Sequence, residues 1–525
     1  MKMFWRRWLG KTAVEAVGLP TEVQQWIATR QFAALQHWLL AQCERRRNVD
    51  LLPALSNALR QARWPEIDIA KLELLAHFAA ALHPQAIELA RQIKASQTNP
   101  DVEVLLIEAF SLFHCHAFEE AWQILLAQRA HWPEWENRVD FRRIAMLLAH
   151  TMADDAHVRH FLIEARRHAP DDAIIALNGY GIAFELGEMA EFARIADEIA
   201  AGKYDLSEAA LALAHIELAQ GRYAAGWRIH EGRYRMKEAG RYLNPALLDR
   251  PLWQGEPLGD ETLLVSCEQG LGDTLMMARY FPMLGEKGIA HLLVETQKEA
   301  LPLLQENFPT LRFVERRHGQ LPDEPFDCWC GSMSLPSFFA ARVDGVPARG
   351  GYLAAPAEGR RYWRQRLDEA APGRLRIGLC WSGSRTHRAD RRRSLAAERL
   401  FAAIAPLDAC FFTLQKEIPP APLPANLIDV SEELITLADT AALIESLDLT
   451  ISIDSMPVHL AGALGKACWL MLPYRYEWRW GLEGESNPWY DSVRVFRQQA
   501  PGDWDGVLRE VFATRWPQWR QSRRA

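Results

Sequence analysis

The sequence predicts an α-helical solenoid leading into two α/β domains with a cleft between them, and three features predict it. Up to about Met236 the chain is rich in Ala, Leu and Glu, with apolar residues spaced three and four apart as on amphipathic helices. From roughly residue 100, similar helical stretches recur with a period in the mid-thirties. After residue 245 the pattern changes to short apolar runs alternating with turns and helical stretches, twice in succession, which points to two parallel sheets.

Composition narrows the function classes. The 525 residues are too many for one module and suit three or more domains, and 49% hydrophobic with 24% charged residues is the balance of a folded globular chain. The formal charge of -7, from 60 Lys+Arg against 67 Asp+Glu, gives no electrostatic basis for general nucleic-acid binding, so any anion site is local. No apolar run reaches the roughly 18 residues that span a bilayer, and the opening MKMFWRRWLG lacks the apolar stretch of a secretory signal; the cytoplasm is the expected compartment. The eight cysteines have one tight pair, Cys328 and Cys330, separated by one residue rather than the two of a zinc site, so they read as mostly buried thiols.

The repeats come first along the chain. FEEAWQILLAQRAHWP ends at Pro133, VRHFLIEARRHAP ends at Pro170, and ALNGYGIAFELGEMAEFARIADEI and SEAALALAHIELAQGRYAAGWRIHEGRYR follow; Tyr223 and Trp227 echo Phe118 and Trp122 about three periods earlier. This stretch, 100–245, resembles tetratricopeptide repeats in degenerate form. One helix pair cannot bury its apolar face, so pairs stack into a curved array whose concave side commonly holds a peptide, although a spacer or dimerisation arm would show the same pattern. Residues 1–99 are also helical but show no clean repeat. The basic, Trp-containing start, Met1 to Leu9, suits a packed first helix or a membrane surface.

The strands follow. ETLLVSC, HLLVE, LRFVE and FDCWC make a first α/β domain over 246–360; RLRIGLCW, ACFFTLQ, NLIDV, LDLTISI, ACWLML and VRVF make a second over 361–525.

Four segments carry candidate chemistry. Glu268-Gln269-Gly270-Leu271-Gly272-Asp273 follows a strand and opens a helix, so Gly270 and Gly272 would let backbone approach a ligand while Asp273 sits near the helix start. The third glycine of a dinucleotide fingerprint is replaced by Leu275, and a simple tight turn with an acidic cap reads the segment equally well. The loop Trp381-Ser382-Gly383-Ser384-Arg385-Thr386-His387-Arg388, running on to Arg393, ends a strand with several arginines whose planar donors match phosphate oxygens; a solvated charged loop is the plainer reading. Asp454-Ser455 ends another strand, with Pro457 in the first turn of a helix and His459 just beyond, an arrangement that aims helix amides at an anion; Ser455 as a cap and His459 as a buried ring are the alternatives. The aromatic loop from Pro473 through Trp480 to Trp489-Tyr490 either stacks on a ligand or seals two domains, with sealing slightly favoured.

The combination of GLGDTLMMARYFP, the basic strand-end loop and SIDSMPVHLAGALGK resembles the GT-B glycosyltransferases related to the bacterial ADP-heptose transferases (glycosyltransferase family 9), over roughly residues 246 to 515. With its helical repeats the whole chain resembles bacterial tetratricopeptide-repeat glycosyltransferases. The resemblance implies a GT-B fold of two Rossmann-like domains and an inverting transfer from a nucleotide-diphosphate sugar, with no metal and no bound cofactor. Asp273 matches the family's general base, and Asp454, Ser455 and His459 match its donor-phosphate motif. Arg393 stands nearest to the family's lysine, and Met456 and Pro457 stand where the heptose transferases tend to have glycine. Ser382, Gly383 and Arg388, with Gly270 and Gly272, complete the expected donor site. The expected partners are a nucleotide sugar and a protein or peptide acceptor held by the repeats. Two other readings stay open: a catalytically degenerate repeat scaffold, and a nucleotide-binding oxidoreductase, which the missing third glycine disfavours.

Overall fold

A single recurring turn organises the helical half. The structure is a computed structural model describing residues 19–46, 49–97, 101–135, 137–204, 210–236, 243–339, 344–418, 422–474 and 477–523; Met1 to Leu9 lie outside them. The chain divides into two units, Met1–His168 and Ala169–Ala525. The first contains α1 (Thr21–Ala28), α2 (Phe32–Arg46), α3 (Leu52–Gln61), α4 (Glu66–Ala79), α5 (His83–Ala95), α6 (Val102–His114), α7 (Phe118–Ala127), α8 (Trp132–Trp135), α9 (Val139–Thr151) and α10 (Asp155–His168). The second opens with α11 (Ala173–Leu186), α12 (Met189–Ala200), α13 (Ala210–Ala219) and α14 (Tyr223–His230).

The pairs α4/α5, α6/α7, α9/α10, α11/α12 and α13/α14 are each joined through one left-handed residue: Ala81, His116, Ala153, Gly187 and Gly221, with φ between 57° and 75°. In every case its N–H donates to the carbonyl three residues back and the next N–H to the carbonyl five back, as from Gly221 to Leu218 and from Arg222 to Glu217. The two bonds satisfy carbonyls that the helix end leaves without partners. The turn at Ala81 puts α4/α5 in the same series, so the repeat starts before residue 100, in the region where the sequence shows none. Within these five pairs glycine takes the turn at Gly187 and Gly221 and alanine or histidine at the others; the same turn also closes α1 at Arg30, α3 at Arg63 and α12 at Gly202.

The ten apolar runs are ten strands. β1 (Thr262–Ser266), β2 (His291–Thr296), β3 (Arg312–Glu315) and β4 (Cys328–Gly331) form a sheet in the order β3-β2-β1-β4. β5 (Arg376–Cys380), β6 (Cys410–Thr413), β7 (Leu427–Ile428), β8 (Leu449–Ile453), β9 (Cys468–Leu472) and β10 (Val493–Arg497) form another in the order β10-β9-β8-β5-β6-β7. Every pairing is parallel. Strands covered on both faces are buried along their whole length, as β8 and β9 are at every residue, Thr450 and Ser452 of β8 included. Between the strands lie α15 (Leu271–Met277), α16 (Met283–Glu286), α17 (Leu301–Asn307), α18 (Leu335–Phe338), α19 (Ala357–Ala370), α20 (Asp390–Arg393), α21 (Ala397–Ile404), α22 (Leu437–Ser446) and α23 (Met456–Ala463). Each sheet grows outward both ways from its first strand, so its chain order reverses between β1 and β4 in one and between β5 and β8 in the other. The carboxyl ends of strands at such reversals are where open α/β sheets leave a crevice for ligands.

Within the second unit the last helical pair is welded to the first sheet. Arg233, fully buried just beyond α14, donates from Nε and Nη2 to the two carboxylate oxygens of Glu268 at 2.8 and 2.6 Å, and from Nη2 to Ser334 Oγ at 2.8 Å. Two parallel bonds to a buried carboxylate fix both distance and orientation. Seven of the eight cysteines are buried and Cys115 is exposed; all are free thiols. Among the described residues no helix is long and apolar enough to cross a membrane.

An L-residue in the left-handed region is strained where glycine is not. Ala81→Gly and Ala153→Gly, both at exposed turn positions, are therefore expected to raise stability by about 1 kcal/mol each. Urea unfolding followed by circular dichroism checks this; unchanged or lower midpoints would contradict it.

Candidate functional site

The two chain-order reversals supply the site's two sides. At the end of β1, Gln269 takes φ 62° and Gly270 forms the N-cap of α15, where its N–H donates to Asp273 Oδ2 at 3.0 Å. Neither Gly270 nor Gly272 adopts a positive φ. What requires glycine at 272 is a close approach: a Cβ there would lie 2.6 Å from His459 Cδ2. The contact expected for a ligand is made by a ring of the other side, and α15 packs directly on α23.

At the end of β5, Gln415 Oε1 accepts the N–H groups of Trp381 at 3.3 Å and Ser382 at 3.0 Å, and Ser394 Oγ accepts that of Gly383 at 3.0 Å. Asp390 accepts from Ser394 Oγ at 3.0 Å and from Arg393 Nε at 3.3 Å, folding the arginine run back over the loop. Arg393 then donates from Nη1 to the carbonyl of Asp454 at 3.0 Å, crossing from the β5 end to the β8 end. Its guanidinium fills the space where a side chain at Gly383 would stand. Arg388 is half-buried in the same loop.

At the end of β8, Ser455 occupies the N-cap position of α23 without a side-chain capping bond; its Oγ lies 3.3 Å from Cys380 Sγ. Pro457 stands in the first turn, as the sequence indicates. Asp454, 6% exposed, accepts from Trp480 Nε1 at 3.0 Å. Burial pushes its carboxyl above the usual range, with Arg479 and Arg393 opposing the shift. His459 is 5% exposed, its Nδ1 is 3.1 Å from the Tyr490 hydroxyl, and its Nε2 is 3.9 Å from Asp454 Oδ1. Burial first, then Arg479 and Arg279, hold the imidazole well below its ordinary range, so it is neutral. A neutral ring wedged on Gly272 braces the two sides against each other.

The aromatic loop supplies what sequence reasoning missed. Its rings at Trp478, Trp480, Trp489 and Tyr490 are buried against protein and so seal rather than present a stacking face. Arg475 and Tyr476 lie outside the described residues. Between Trp478 and Trp480, however, Arg479 reaches back to ion-pair with Asp273 Oδ1 through Nη2 and with Glu477 Oε1 at 2.6 Å through Nη1. Burial pushes the Glu477 carboxyl up, with Arg479 opposing, to about 7. Asp273, Glu477 and Arg479 are thus one charge cluster, with Asp454 and Arg393 beside it. Among the described residues no group of three or more His, Cys, Asp or Glu is placed to hold a metal ion.

No family model matches the chain. Protein FlbA of Caulobacter vibrioides is 28% identical over 389 residues, covering 67% of this chain and 62% of that protein, so the chain spans less than two thirds of this curated relative's length. Among solved structures it is similar to the ADP-heptose LPS heptosyltransferase II of E. coli, at 14% identity and TM-score 0.35 over 49% of this chain and 99% of that one. It is also similar to a glycosyl transferase family 9 protein of Veillonella parvula, at 12% and 0.33 over 46% and 87%. A third is the iron-containing dodecameric glycosyltransferase TibC of enterotoxigenic E. coli, at 15% and 0.29 over 48% and 67%. At these scores the likeness decides nothing about the site, whose chemistry follows from its own residues.

Gly272→Ala is expected to destabilise the protein by about 1 to 3 kcal/mol, the cost of overpacking a closed contact, because the His459 ring has no room to retreat from Tyr490 and Trp480. The penalty should shrink in a His459→Ala background. Equal penalties in both backgrounds, read from thermal melts, would show that the ring is not what the glycine accommodates.

Proposed function

We propose that this chain transfers a sugar from a nucleotide-diphosphate sugar to an acceptor hydroxyl, with its two sheets arranged as a GT-B catalytic half. The observation that carries this reading is the meeting of the two chain-order reversals: a carboxylate, Asp273, at one, and an arginine-bound loop with a helix start, Arg393 and α23, at the other. A diphosphate bound at the β5 and β8 ends, beside the Ser382–Gly383 turn, would meet Arg388 and Arg393 and the α23 amides beside Ser455. Asp454 repels phosphate and serves to hold Trp480 and, through its carbonyl, Arg393.

Asp273 lies on the opposite wall, the place for a base. It accepts the hydroxyl proton as the acceptor oxygen bonds to C1, while the C1–O bond to the diphosphate breaks and its electron pair leaves with the phosphate. Attack from the wall opposite the leaving group inverts C1, and neither a metal nor a bound cofactor has a part. The acceptor is a polypeptide, held by the repeated helix pairs. The similarity to transferase structures adds no weight beyond the site itself.

One observation favours the alternative, a degenerate scaffold whose repeats bind a protein. Arg393, Arg479 and Asp454 are all engaged with protein groups, so substrates must compete for them.

The purified protein should be stabilised against heat by one class among ADP-, GDP- and UDP-sugars and not by NAD, since a ligand that binds only the folded state raises the melting temperature. Asp273→Asn should keep that shift while transfer falls roughly 10²–10⁴-fold, the usual contribution of a general base. Full activity in Asp273→Asn would exclude the mechanism; no shift with any donor would favour the scaffold.

A further inference from the structure

The Arg479 guanidinium is 7% exposed, and its placement is set from behind. The ring of Trp478 carries it at 4.3 Å. That ring stacks on His215 of α13 with centroids 5.8 Å apart and planes 19° apart. It also meets Trp227 of α14 edge to face at 5.3 Å and Trp489 at 5.8 Å. The last helical pair is therefore the surface against which the charged loop is pressed. The same pair is fixed to the other end of the charge cluster, because Arg233 beyond α14 grips Glu268, five residues ahead of Asp273 on the same β1–α15 turn. Both members of the Asp273–Arg479 ion pair are thus referenced to one helical hairpin.

We propose that Arg479 is a positioning residue for Asp273, and that α13–α14 sets Arg479 through Trp478, so that the final helix pair is a wall of the transfer site rather than a detachable arm. This rests on the transferase reading above. In it, Arg479 orients the Asp273 carboxylate through Oδ1 while the Gly270 N–H holds Oδ2, so the base presents a fixed lone pair. The charged and titratable groups facing the cluster are Glu477 on the same loop, Asp454 and Arg393 at the β8 and β5 ends, His387 and Arg388 in the basic loop, His459 on α23, Arg279 after α15, and His215 and His230 on α13 and α14. Burial holds His215 down at about 3 and His230 far below its ordinary range, so both are uncharged at working pH and act through packing.

The test uses the full chain and its release of nucleoside diphosphate from ADP-, GDP- and UDP-hexoses, with water as the acceptor, measured from pH 5 to 9. In Arg479→Gln, kcat should fall tenfold or more with the donor KM within twofold across that pH range, because the carboxylate is no longer held in one orientation. Arg479→Lys should recover part of the lost kcat. His215→Ala, which removes only the ring behind Trp478, should lower kcat by a smaller factor with the donor KM again unchanged, at a melting temperature that shows the chain folded. If Arg479→Gln does not fold, the lysine and His215 variants carry the same test. Loss confined to donor KM would make Arg479 a donor ligand and overturn the proposal, as would an unchanged kcat in the folded variants. A wild-type chain that releases no diphosphate at any pH would instead remove the transferase reading, and the positioning role with it.

Discussion

A buried guanidinium has to be matched where it lies, and Arg479 imposes that condition on most of the second unit. Removing a planar cation from water costs several kcal/mol, and breaking such a buried pair typically costs roughly 3 to 5 kcal/mol. The chain meets the condition with carboxylates from different places: Glu477 two residues away, and Asp273 more than two hundred residues earlier in the other sheet's crevice. The ring of Trp478 covers the guanidinium face, an arrangement that suits a delocalised cation better than an ammonium. Satisfying one charge therefore fixes the aromatic loop, the β1–α15 turn and the distance between the two sheets' crevices together.

How much of this was legible in the sequence follows from where each signal resides. The ten strands were readable because short, mostly apolar runs recur between turns and helical stretches, so the pattern is local. The pair before residue 100 was not, because its turn depends on a backbone angle that Ala81 adopts at a cost no local pattern records. Asp273, Asp454 and Arg393 could be singled out from the sequence because each follows the carboxyl end of an apolar strand, where open α/β sheets leave a crevice. Arg479 was hidden in a loop read as aromatic filler; its meaning lies in Asp273, and no spacing rule links residues so far apart. Its one local sign was a charged residue between two tryptophans, where burial of the rings forces burial of the charge.

Gly272 shows the same lesson in the opposite direction. Glycines after a strand suggest a ligand cradle, but the atom that occupies the vacated space belongs to His459. A missing Cβ marks a close approach without saying what approaches. Here the approach is between the two sides of the site, so the glycine that looked like a binding feature of one domain is a packing feature of two.

These contacts decide what a ligand must do. Arg393 already bonds the Asp454 carbonyl, and Arg479 already neutralises Asp273 and Glu477, so an incoming diphosphate gains only the difference between its own bonds and those it replaces. Arg393 is bound to one neutral carbonyl and one carboxylate, Arg479 to two carboxylates; phosphate oxygens compete more readily for the first than for the second. In the proposed transferase, donor chemistry would therefore fall to the arginine of the basic loop, while the arginine of the aromatic loop would stay with the base it orients. Under that proposal the division would let the donor side rearrange around a substrate while Asp273 keeps one geometry, the condition a proton acceptor needs if the hydroxyl is to arrive within hydrogen-bond reach.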